Sequence, residues 1–272
     1  MYKEYFRFQE EPFNITPDPR FFYRTAQHQE ALNHLLYGIR QRKGFICLTG
    51  EVGTGKTTLC RTLLRELGEN HHTALILNPV LTQAQLLRAI VDEFRIEGKC
   101  RDRIGYLTLL NNFLLRINSA GHDAVLIIDE AQDMSVASLE QVRLLSNLET
   151  ESQKLLQICL LGQPELRRKL AKPALRQLAQ RITVRYHLNT MDQQDTEAYI
   201  RHRLEVAGGN NGKSAVRFDP GAVREIYRYS GGIPRLINAI GDKALLAGYV
   251  HQTEQIDRRL TRIAAAELKE TG

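Results

Sequence analysis

The sequence contains no run of about 18 apolar residues, the length that a membrane-spanning helix requires. It therefore predicts no transmembrane segment. The start of the chain, from Met1 to Tyr5, also lacks the basic stretch followed by an apolar stretch that marks a secretion signal. On these two absences we expect the protein to stay in the compartment where it is made.

Cysteine is scarce, and the four residues show no CxxC spacing. They are Cys47, Cys60, Cys100 and Cys159. Two of them lie in apolar runs that are typical of strands. This pattern indicates buried, reduced thiols rather than disulfides or metal ligands, and reduced thiols fit the cytoplasm.

Several catalytic signatures are missing. The eight histidines show no HExxH motif and no clustered ligand spacing, which argues against a zinc site. No GxSxG motif is present, so a serine hydrolase of that type is not indicated.

What is present is an ordinary globular composition. The 272 residues are 43% apolar and 25% charged, which excludes a disordered or collagen-like chain and allows about two domains. Thirty-seven basic and 31 acidic residues give a net charge of +6. That charge permits an anionic partner such as ATP, acidic lipid or nucleic acid without requiring one.

From residue 44 onward, apolar runs of strand length alternate with segments of helix length. The five predicted strands are 45–49, 73–78, 124–129, 155–161 and 182–188. Strands that alternate with helices predict a parallel sheet covered by helices on both faces. The sequence thus predicts an α/β fold with a five-stranded parallel sheet.

The sequence pattern changes after residue 189. Residues 190–192 resemble a helix cap and are followed by the apolar residues Ala198, Ile200, Leu204 and Val206. Further helical patterns follow at about 220–229, 234–249 and 256–269, with no convincing strand. A breaker run, 208–212, separates the first two patterns. We therefore predict two domains: residues 1–189 bind a nucleotide, and residues 190–272 form a smaller all-α lid. Aromatic residues near the N-terminus, including Phe13 and Phe21, are expected to anchor the opening segment on a core.

The strongest motif is GEVGTGKT at residues 50–57, which fits GxxxxGK[ST] between a predicted strand and a helical run. The pattern predicts a P-loop, in which main-chain N–H groups surround phosphate oxygens, Lys56 reaches the β- and γ-phosphates, and the Thr57 hydroxyl binds Mg²⁺. The predicted nucleotide-binding residues are Gly50, Glu51, Val52, Gly53, Thr54, Gly55, Lys56, Thr57, Thr58 and, from the lid, Arg235.

A second motif is the apolar strand that ends in Asp129-Glu130. Beside a P-loop, Asp129 is expected to hold Mg²⁺ through water, and Glu130 to orient and deprotonate the attacking water. The plain alternative is a strand end with two solvated acids. The second carboxylate, together with the lack of an NKxD-like guanine reader, favours an ATPase over a small GTPase.

Three weaker signals complete the predicted site. Gln163 follows strand 155–161 and is placed to sense the γ-phosphate, unless it is a simple turn residue. Arg181, with Arg176 as the alternative, is predicted to act as an arginine finger in a neighbouring subunit, although either arginine could be a surface charge. Arg235, in the sequence GGIPR, is expected to point back to the phosphates, unless it only begins a helix.

The sequence leaves the roles of Arg185 and of a basic stripe near the end of the chain undecided. Arg185, in the last predicted strand, is a third candidate for the finger. The last helical pattern carries a basic stripe, which is more often a solvated face than a DNA-binding surface. Its members are Arg258, Arg259, Arg262 and Lys269.

Taken together, the P-loop, the DE-type Walker B strand, Gln163 at a sensor-1 position, the late arginines and GGIPR at a sensor-2 position resemble an AAA+ ATPase. The chain resembles more closely the general secretion pathway protein A (ExeA/GspA) type. The selective features are PFNITPDP at 12–19, DEAQ at 129–132 and LGQPEL at 161–166.

The resemblance implies a P-loop AAA+ sheet with a helical lid, and a Mg²⁺-dependent ATPase with ATP and Mg²⁺ as cofactors. It also implies a homo-oligomer that serves the assembly or regulation of a secretion, pilus or polysaccharide-export machine. The expected location is the cytoplasm, at the cytoplasmic face of the inner membrane. Members of this type often continue into a transmembrane segment and a periplasmic domain, so the chain is interpreted either as an excised domain or as a soluble branch.

Two other function classes stay open at this point. Similar ATPases act as DNA-bound regulators of transposition, and a nucleotide-gated scaffold with negligible turnover is a third option. The intact Glu130 argues against the scaffold. The absence of a separate DNA-reading module in residues 190–272 argues against tight DNA binding.

Overall fold

Five parallel strands form the central sheet, in the order β2-β3-β4-β1-β5. Their bounds are β1 Phe45–Gly50, β2 His71–Ile76, β3 Asp123–Ile128, β4 Leu156–Gly162 and β5 Ile182–Leu188. Strands β1 and β4 are buried along their whole length, as expected for a parallel sheet with two covered faces. The predicted five-stranded parallel sheet is confirmed.

The computed structural model describes residues 2–14, 18–98, 100–151, 153–208 and 216–270. Its twelve helices within these ranges are α1 Tyr2–Tyr5, α2 Ala26–Arg40, α3 Lys56–Glu66, α4 Gln83–Glu93, α5 Arg103–Ser119, α6 Val136–Leu145, α7 Pro164–Leu170, α8 Arg176–Arg181, α9 Gln193–Gly208, α10 Pro220–Ser230, α11 Pro234–Val250 and α12 Arg258–Glu270. None of the helices in the described part of the chain is both long and apolar enough to cross a membrane.

The second strand differs from its prediction by two residues at each end. The apolar run begins at Thr73, but the ladder with β3 already pairs His71 with Asp123. A strand is defined by its hydrogen bonds to a neighbour, so polar residues extend it beyond the apolar run.

Local side chains determine where several helices begin. Thr82 and Gln85 form a reciprocal capping box at the start of α4. Asp102 caps α5 and Ser135 caps α6 by accepting from main-chain N–H groups. Such caps each stabilise a helix by about 1 kcal/mol.

The chain folds into two compact units. The sheet unit comprises Gln27–Gly50 and Leu59–Leu188, and the helical unit comprises Met1–Ala26, Glu51–Thr58 and Asn189–Gly272. Each unit has its own apolar core.

In the sheet unit, the parallel register aligns the carboxyl ends of three strands at one edge. Leu160 of β4 pairs with Ile128 of β3, and Leu161 of β4 pairs with Leu48 of β1. The residues that follow β3 and β4 therefore leave the sheet side by side, at the edge where open α/β sheets bind ligands.

The helical unit contains a short strand pair that the sequence did not predict. β6 Arg217–Phe218 and β7 Gln255–Ile256 pair in parallel. Two residues are too few to show a strand periodicity, and the pairing joins segments far apart in the sequence. Helix α9 ends at Gly208, and the rest of the predicted breaker run, 209–212, lies outside the described residues.

The N-terminal segment belongs to the helical unit, whereas the sequence assigned it to the nucleotide-binding domain. Phe13 is buried, and its ring occupies the space where a Cβ on Gly241 of α11 would lie, at 2.8 Å. The Arg203 guanidinium donates to the Asn14 carbonyl at 2.7 Å and stacks on Phe21. Aromatic burial decides this placement, while residues 15–17 of the PFNITPDP run lie outside the described part of the chain.

Candidate functional site

The predicted P-loop forms a closed turn on its own main chain. Gly53 and Gly55 have φ of +80° and +94°, a region that residues with a side chain rarely adopt. The Thr54 hydroxyl and the Lys56 Nζ both donate to the Glu51 carbonyl at 2.8 Å. Lys56 is only 5% exposed, so the loop holds its ammonium group among main-chain atoms.

The remaining P-loop residues occupy the end of β1 and the start of α3. Gly50 ends the strand, and Glu51 and Val52 are exposed at the top of the turn. Lys56 begins α3, so Thr57 and Thr58 lie in its first turn. The first N–H groups of a helix have no acceptor within the helix, which suits this end for phosphate. The geometry fits the motif, and the role of each residue stays a prediction.

Arg235 lies next to the P-loop within the helical unit. A Cβ built on Gly53 would lie 2.7 Å from the Cβ of Arg235 and 3.3 Å from Cγ2 of Ile233. Only a glycine at position 53 allows this approach. The start of α11 and the P-loop therefore meet, as the interpretation of GGIPR requires, and Arg235 is exposed there.

The two glycines before α11 fix the orientation of that helix start. Gly231 and Gly232 have φ of +57° and +76°. A Cβ on Gly232 would lie 1.8 Å from the Met191 carbonyl oxygen, and the Met191 N–H donates to the Gly232 carbonyl at 3.0 Å. Two main-chain segments are thus in direct contact at Gly232.

In the sheet unit, Asp129 directly follows β3 and is 2% exposed. Its N–H donates to the Ile76 carbonyl at 2.9 Å, and its Oδ1 accepts from the Glu130 N–H at 2.9 Å. Burial, and then the nearby Asp129 carboxylate, raise the pKa of the Cys60 thiol to about 12. Cys60 therefore stays a neutral thiol beside the predicted metal ligand.

Glu130 adopts a left-handed backbone conformation, with φ of 49° and ψ of 37°. Non-glycine residues in this region carry strain and often occur at functional sites. The Glu130 Oε2 accepts from the Gln163 Nε2 at 3.2 Å. The structure thus brings together the residues that the sequence predicted as base and as sensor.

Sequence reasoning did not assign a role to Gln132, which links these two residues. Its Nε2 donates to the Glu130 Oε2 at 2.8 Å, and its Oε1 accepts from the Gln163 N–H at 3.0 Å. The signal was present in the DEAQ motif, two positions after the predicted base. The sequence alone does not show that β3 and β4 are neighbouring strands, and this pairing is what places Gln132 beside Gln163.

The three candidate finger arginines have different surroundings. Arg181 donates to Asn147 Oδ1 at 2.7 Å and to Ser146 Oγ, at the end of α6. Arg185 donates to the Ala179 carbonyl at 2.6 Å. Arg176 is exposed, and within the described residues its guanidinium has no hydrogen-bond or ion-pair partner.

The basic stripe on α12 is part of an ion-pair cluster. Arg258 and Arg262 contact the Glu225 Oε1 at 2.7 and 3.2 Å, and Arg228 contacts its Oε2 at 2.7 Å. Burial raises the pKa of the Glu225 carboxyl, but the hydrogen bonds from Arg258 and Arg262 and the positive charges of Arg228 and Arg262 together hold that pKa below its usual value. The side chain of Lys269 lies outside the described part of the structure.

All four cysteines are free thiols. Cys47, Cys60 and Cys159 are buried, and burial raises the pKa of Cys47 to about 11. Within the described ranges, no group of three histidine, cysteine or acidic side chains is arranged to hold a metal ion.

The chain matches the AAA domain family over residues 39–170. It is 47% identical over 271 residues to general secretion pathway protein A of Aeromonas hydrophila, and the match covers 98% of this chain and 48% of that protein. The chain therefore spans about half the length of that relative.

Solved structures share the fold at low sequence identity. Drosophila ORC bound to DNA has a TM-score of 0.72 at 17% identity, covering 98% of this chain and 66% of that one. The ADP form of ORC2 from Aeropyrum pernix has a TM-score of 0.69 at 16% identity, with coverages of 96% and 73%. The branch migration motor RuvB of Thermotoga maritima has a TM-score of 0.56 at 19% identity, with coverages of 92% and 73%. The chain thus matches the AAA domain family over residues 39–170 and is similar, over nearly its whole length, to general secretion pathway protein A.

Proposed function

We propose that the protein is a Mg²⁺-dependent ATPase. The observation that carries this proposal is the contact between Glu130 and Gln163 at adjoining strand ends, in a chain that also carries a complete P-loop. A pure nucleotide-binding scaffold would not need a carboxylate held in a strained conformation by amide donors.

The residues fit ATP and Mg²⁺. The glycine turn and the start of α3 offer main-chain N–H groups, and Lys56 offers a cation, for the phosphates. The Thr57 hydroxyl and the Asp129 carboxylate are oxygen ligands of the kind that Mg²⁺ prefers. When bound, Mg²⁺ supplies positive charge that neutralises the phosphate oxygens.

Within this assignment, each polar side chain has one task. Glu130 orients a water molecule and accepts its proton. Gln163 donates its amide toward the γ-phosphate. Arg235, which lies against Gly53, contributes a positive charge that distinguishes ATP from ADP and couples nucleotide state to the position of the lid.

We further propose that the protein acts as a homo-oligomer in which Arg176 completes the site of a neighbouring subunit. The sequence favoured Arg181, but the bonds of Arg181 to Asn147 and Ser146 engage its guanidinium within its own subunit. Arg176 lies at the start of α8, is exposed and is free to reach a partner.

The similarity to general secretion pathway protein A supports a role in a secretion pathway. We propose that ATP turnover drives the assembly or regulation of a secretion, pilus or polysaccharide-export machine, at the cytoplasmic face of the inner membrane. DNA regulation is not favoured, because Glu225 forms ion pairs with Arg258 and Arg262 of the α12 stripe.

Phosphate release from ATP tests the proposal. The purified chain should release phosphate in the presence of Mg²⁺, and Lys56→Ala should lose nucleotide binding. Glu130→Gln should keep binding but lose about 10²–10⁴-fold in turnover, because it removes the base and leaves the phosphate-binding loop intact. Equal turnover in the wild type and Glu130→Gln would refute the role of Glu130.

A further inference from the structure

Gln132 is the buried centre of a partly buried hydrogen-bond network between the ends of β3 and β4. The side chain is 8% exposed, and its amide nitrogen donates to Glu130 Oε2 at 2.8 Å and to Asp133 Oδ2 at 3.1 Å. Its amide oxygen accepts from the main-chain N–H of Gln163 at 3.0 Å. A single amide therefore contacts both the predicted base and the predicted sensor.

The residue before Gln163 is adapted to this contact. A Cβ on Gly162 would lie 2.9 Å from Oε1 of Gln132 and 2.9 Å from Cδ2 of Leu166. Any side chain at position 162 would therefore push the amide of Gln132 away from the Gln163 N–H. The DEAQ and GQPEL motifs, about 30 residues apart in the sequence, therefore meet where Gln132 of the first lies against Gly162 and Gln163 of the second.

The backbone of Gln132 is also held in place. Lys169 of α7 donates from Nζ to the Met134 carbonyl at 2.7 Å and to the Gln132 carbonyl. These bonds tie the short turn after β3 to the helix that follows Gln163. The position of Gln132 is thereby held at its main chain by Lys169 and at its side-chain amide by Glu130 and Gln163.

The network acts on one oxygen of Glu130. Oε2 accepts both amide donors, from Gln132 at 2.8 Å and from Gln163 at 3.2 Å. In the described part of the chain, Oε1 accepts no hydrogen bond from a side chain. A residue in a strained left-handed conformation keeps it only when surrounding contacts hold it. The two amide bonds to Oε2 are among the contacts that hold Glu130.

We propose that Gln132 is a positioning residue for ATP hydrolysis, which fixes Oε2 of Glu130, leaves Oε1 for the attacking water, and ties the base to the main chain of the sensor Gln163. The inference rests on the proposed ATPase function. In that reaction the water oxygen bonds to the γ-phosphorus, the bond from the γ-phosphorus to the β–γ bridging oxygen breaks, and a water proton passes to Glu130.

Gln132→Ala is the direct test, and Gln157→Ala is its matched control. Gln157 is also buried, and its amide also bridges main-chain groups, with Gly44 N–H at 2.8 Å and the Lys154 carbonyl at 3.3 Å. It lies near the start of β4, at the opposite end from Gln163. Both variants remove a buried amide, but only one removes a contact to Glu130.

We expect Gln132→Ala to lower kcat about 10- to 100-fold, because small displacements of a catalytic group have effects of this size. Nucleotide affinity should stay within about 2-fold, since no phosphate-binding residue is changed. Gln157→Ala should lower the melting temperature and leave kcat within about 2-fold. An unchanged kcat in Gln132→Ala would overturn the proposal.

A double-mutant cycle separates positioning from a general loss of structure. In the Glu130→Gln background, Gln132→Ala should cause little further loss of kcat, because the residue acts through Glu130. Gln157→Ala should have the same effect on melting temperature in either background. A full additional loss in the Glu130→Gln background would show that Gln132 does not act through the base.

A second variant tests the proposal if Gln132→Ala does not fold, and a second measurement tests it if the protein does not hydrolyse ATP. Gly162→Ala keeps Gln132 but displaces its amide, so it should reproduce the loss of kcat. In Gln132→Ala and in Gly162→Ala, the main-chain amide hydrogen of Gln163 should exchange faster with solvent, because it loses its acceptor, Gln132 Oε1. If the wild type binds ATP without hydrolysing it, the ATPase proposal fails, and the exchange result decides separately: faster exchange supports the link between Gln132 and Gln163, and unchanged exchange overturns it.

Discussion

Residues predicted to bind or hydrolyse nucleotide occur in both the sheet unit and the helical unit, but different forces position them in each unit. In the sheet unit, Glu130 and Gln163 are held by directional hydrogen bonds at the ends of paired strands. In the helical unit, close packing leaves no room for a methyl group at two glycines: Gly53 lies against side-chain atoms of Arg235 and Ile233, and Gly232 lies against the main chain of Met191.

This difference predicts opposite sensitivities. Removing a polar group should damage the sheet unit, because an amide or guanidinium there satisfies buried acceptors. Adding a methyl group should damage the helical unit, because a well-packed contact cannot expand.

The largest effect is expected at Arg176, whose guanidinium has no hydrogen-bond or ion-pair partner among the residues that the structure describes. Arg176→Ala should lower the ATPase rate of the assembled protein by about 10³–10⁵-fold, the range that arginine fingers contribute. Its melting temperature should not change. Steady-state turnover as a function of protein concentration, with calorimetry on the same samples, measures both. A normal rate in this variant at assembling concentrations would remove Arg176 as the finger.

Gly232→Ala should destabilise the helical unit by about 2–4 kcal/mol, from a strained φ and a clash with the Met191 carbonyl. Gly231→Ala is the matched control, because Gly231 also has a positive φ but no atom within 4 Å of a Cβ. The control should lose only about 1 kcal/mol. Denaturant unfolding compares the two. Equal losses would mean that the Met191 contact contributes nothing.

Arg181→Ala should destabilise the sheet unit by about 1–3 kcal/mol, because it removes a charged donor from Ser146 and Asn147 at the end of α6. Arg176→Ala serves as the stability control. Denaturant unfolding at neutral pH checks both variants. If Arg181→Ala were as stable as the wild type, its bonds would be dispensable and the finger role would return to it.

The smallest effect concerns the pH dependence of the helical unit. The folded pKa of Glu225 is lowered, so its charge stabilises the fold above the unfolded glutamate pKa, about 4.3, and this stabilisation is lost as pH falls through the folded pKa. Glu225→Gln should lower the melting temperature at pH 7, and the difference from wild type should shrink below about pH 4. Glu267→Gln, at an exposed pair with Lys243, should change little. A difference independent of pH would contradict the role of the charge.

Much of the fold could be predicted because its signals are local. The apolar runs of β1, β3, β4 and β5 lie within one or two residues of the observed strands. The P-loop and the Asp129-Glu130 pair are contiguous motifs whose spacing reflects the chemistry of phosphate and metal binding. Sequence patterns of this kind identify elements and motifs without knowledge of their neighbours.

The remaining features depend on contacts between distant segments. The N-terminal segment is in the helical unit because Phe13 packs against Gly241. The bonds of Arg181 to the end of α6 likewise depend on packing rather than on position in the chain. No local pattern encodes either partner.

The succession of strands and helices along the chain, the phosphate-binding loop and the acidic strand end could be predicted from sequence, since each depends on residues close together in the chain. The contact that joins Glu130 to Gln163 through Gln132 emerges only in the folded chain, because it requires the parallel register of β3 and β4 and the missing side chain of Gly162. Hydrogen bonds at strand ends depend on which strands are neighbours, and strand neighbours are set by the fold as a whole.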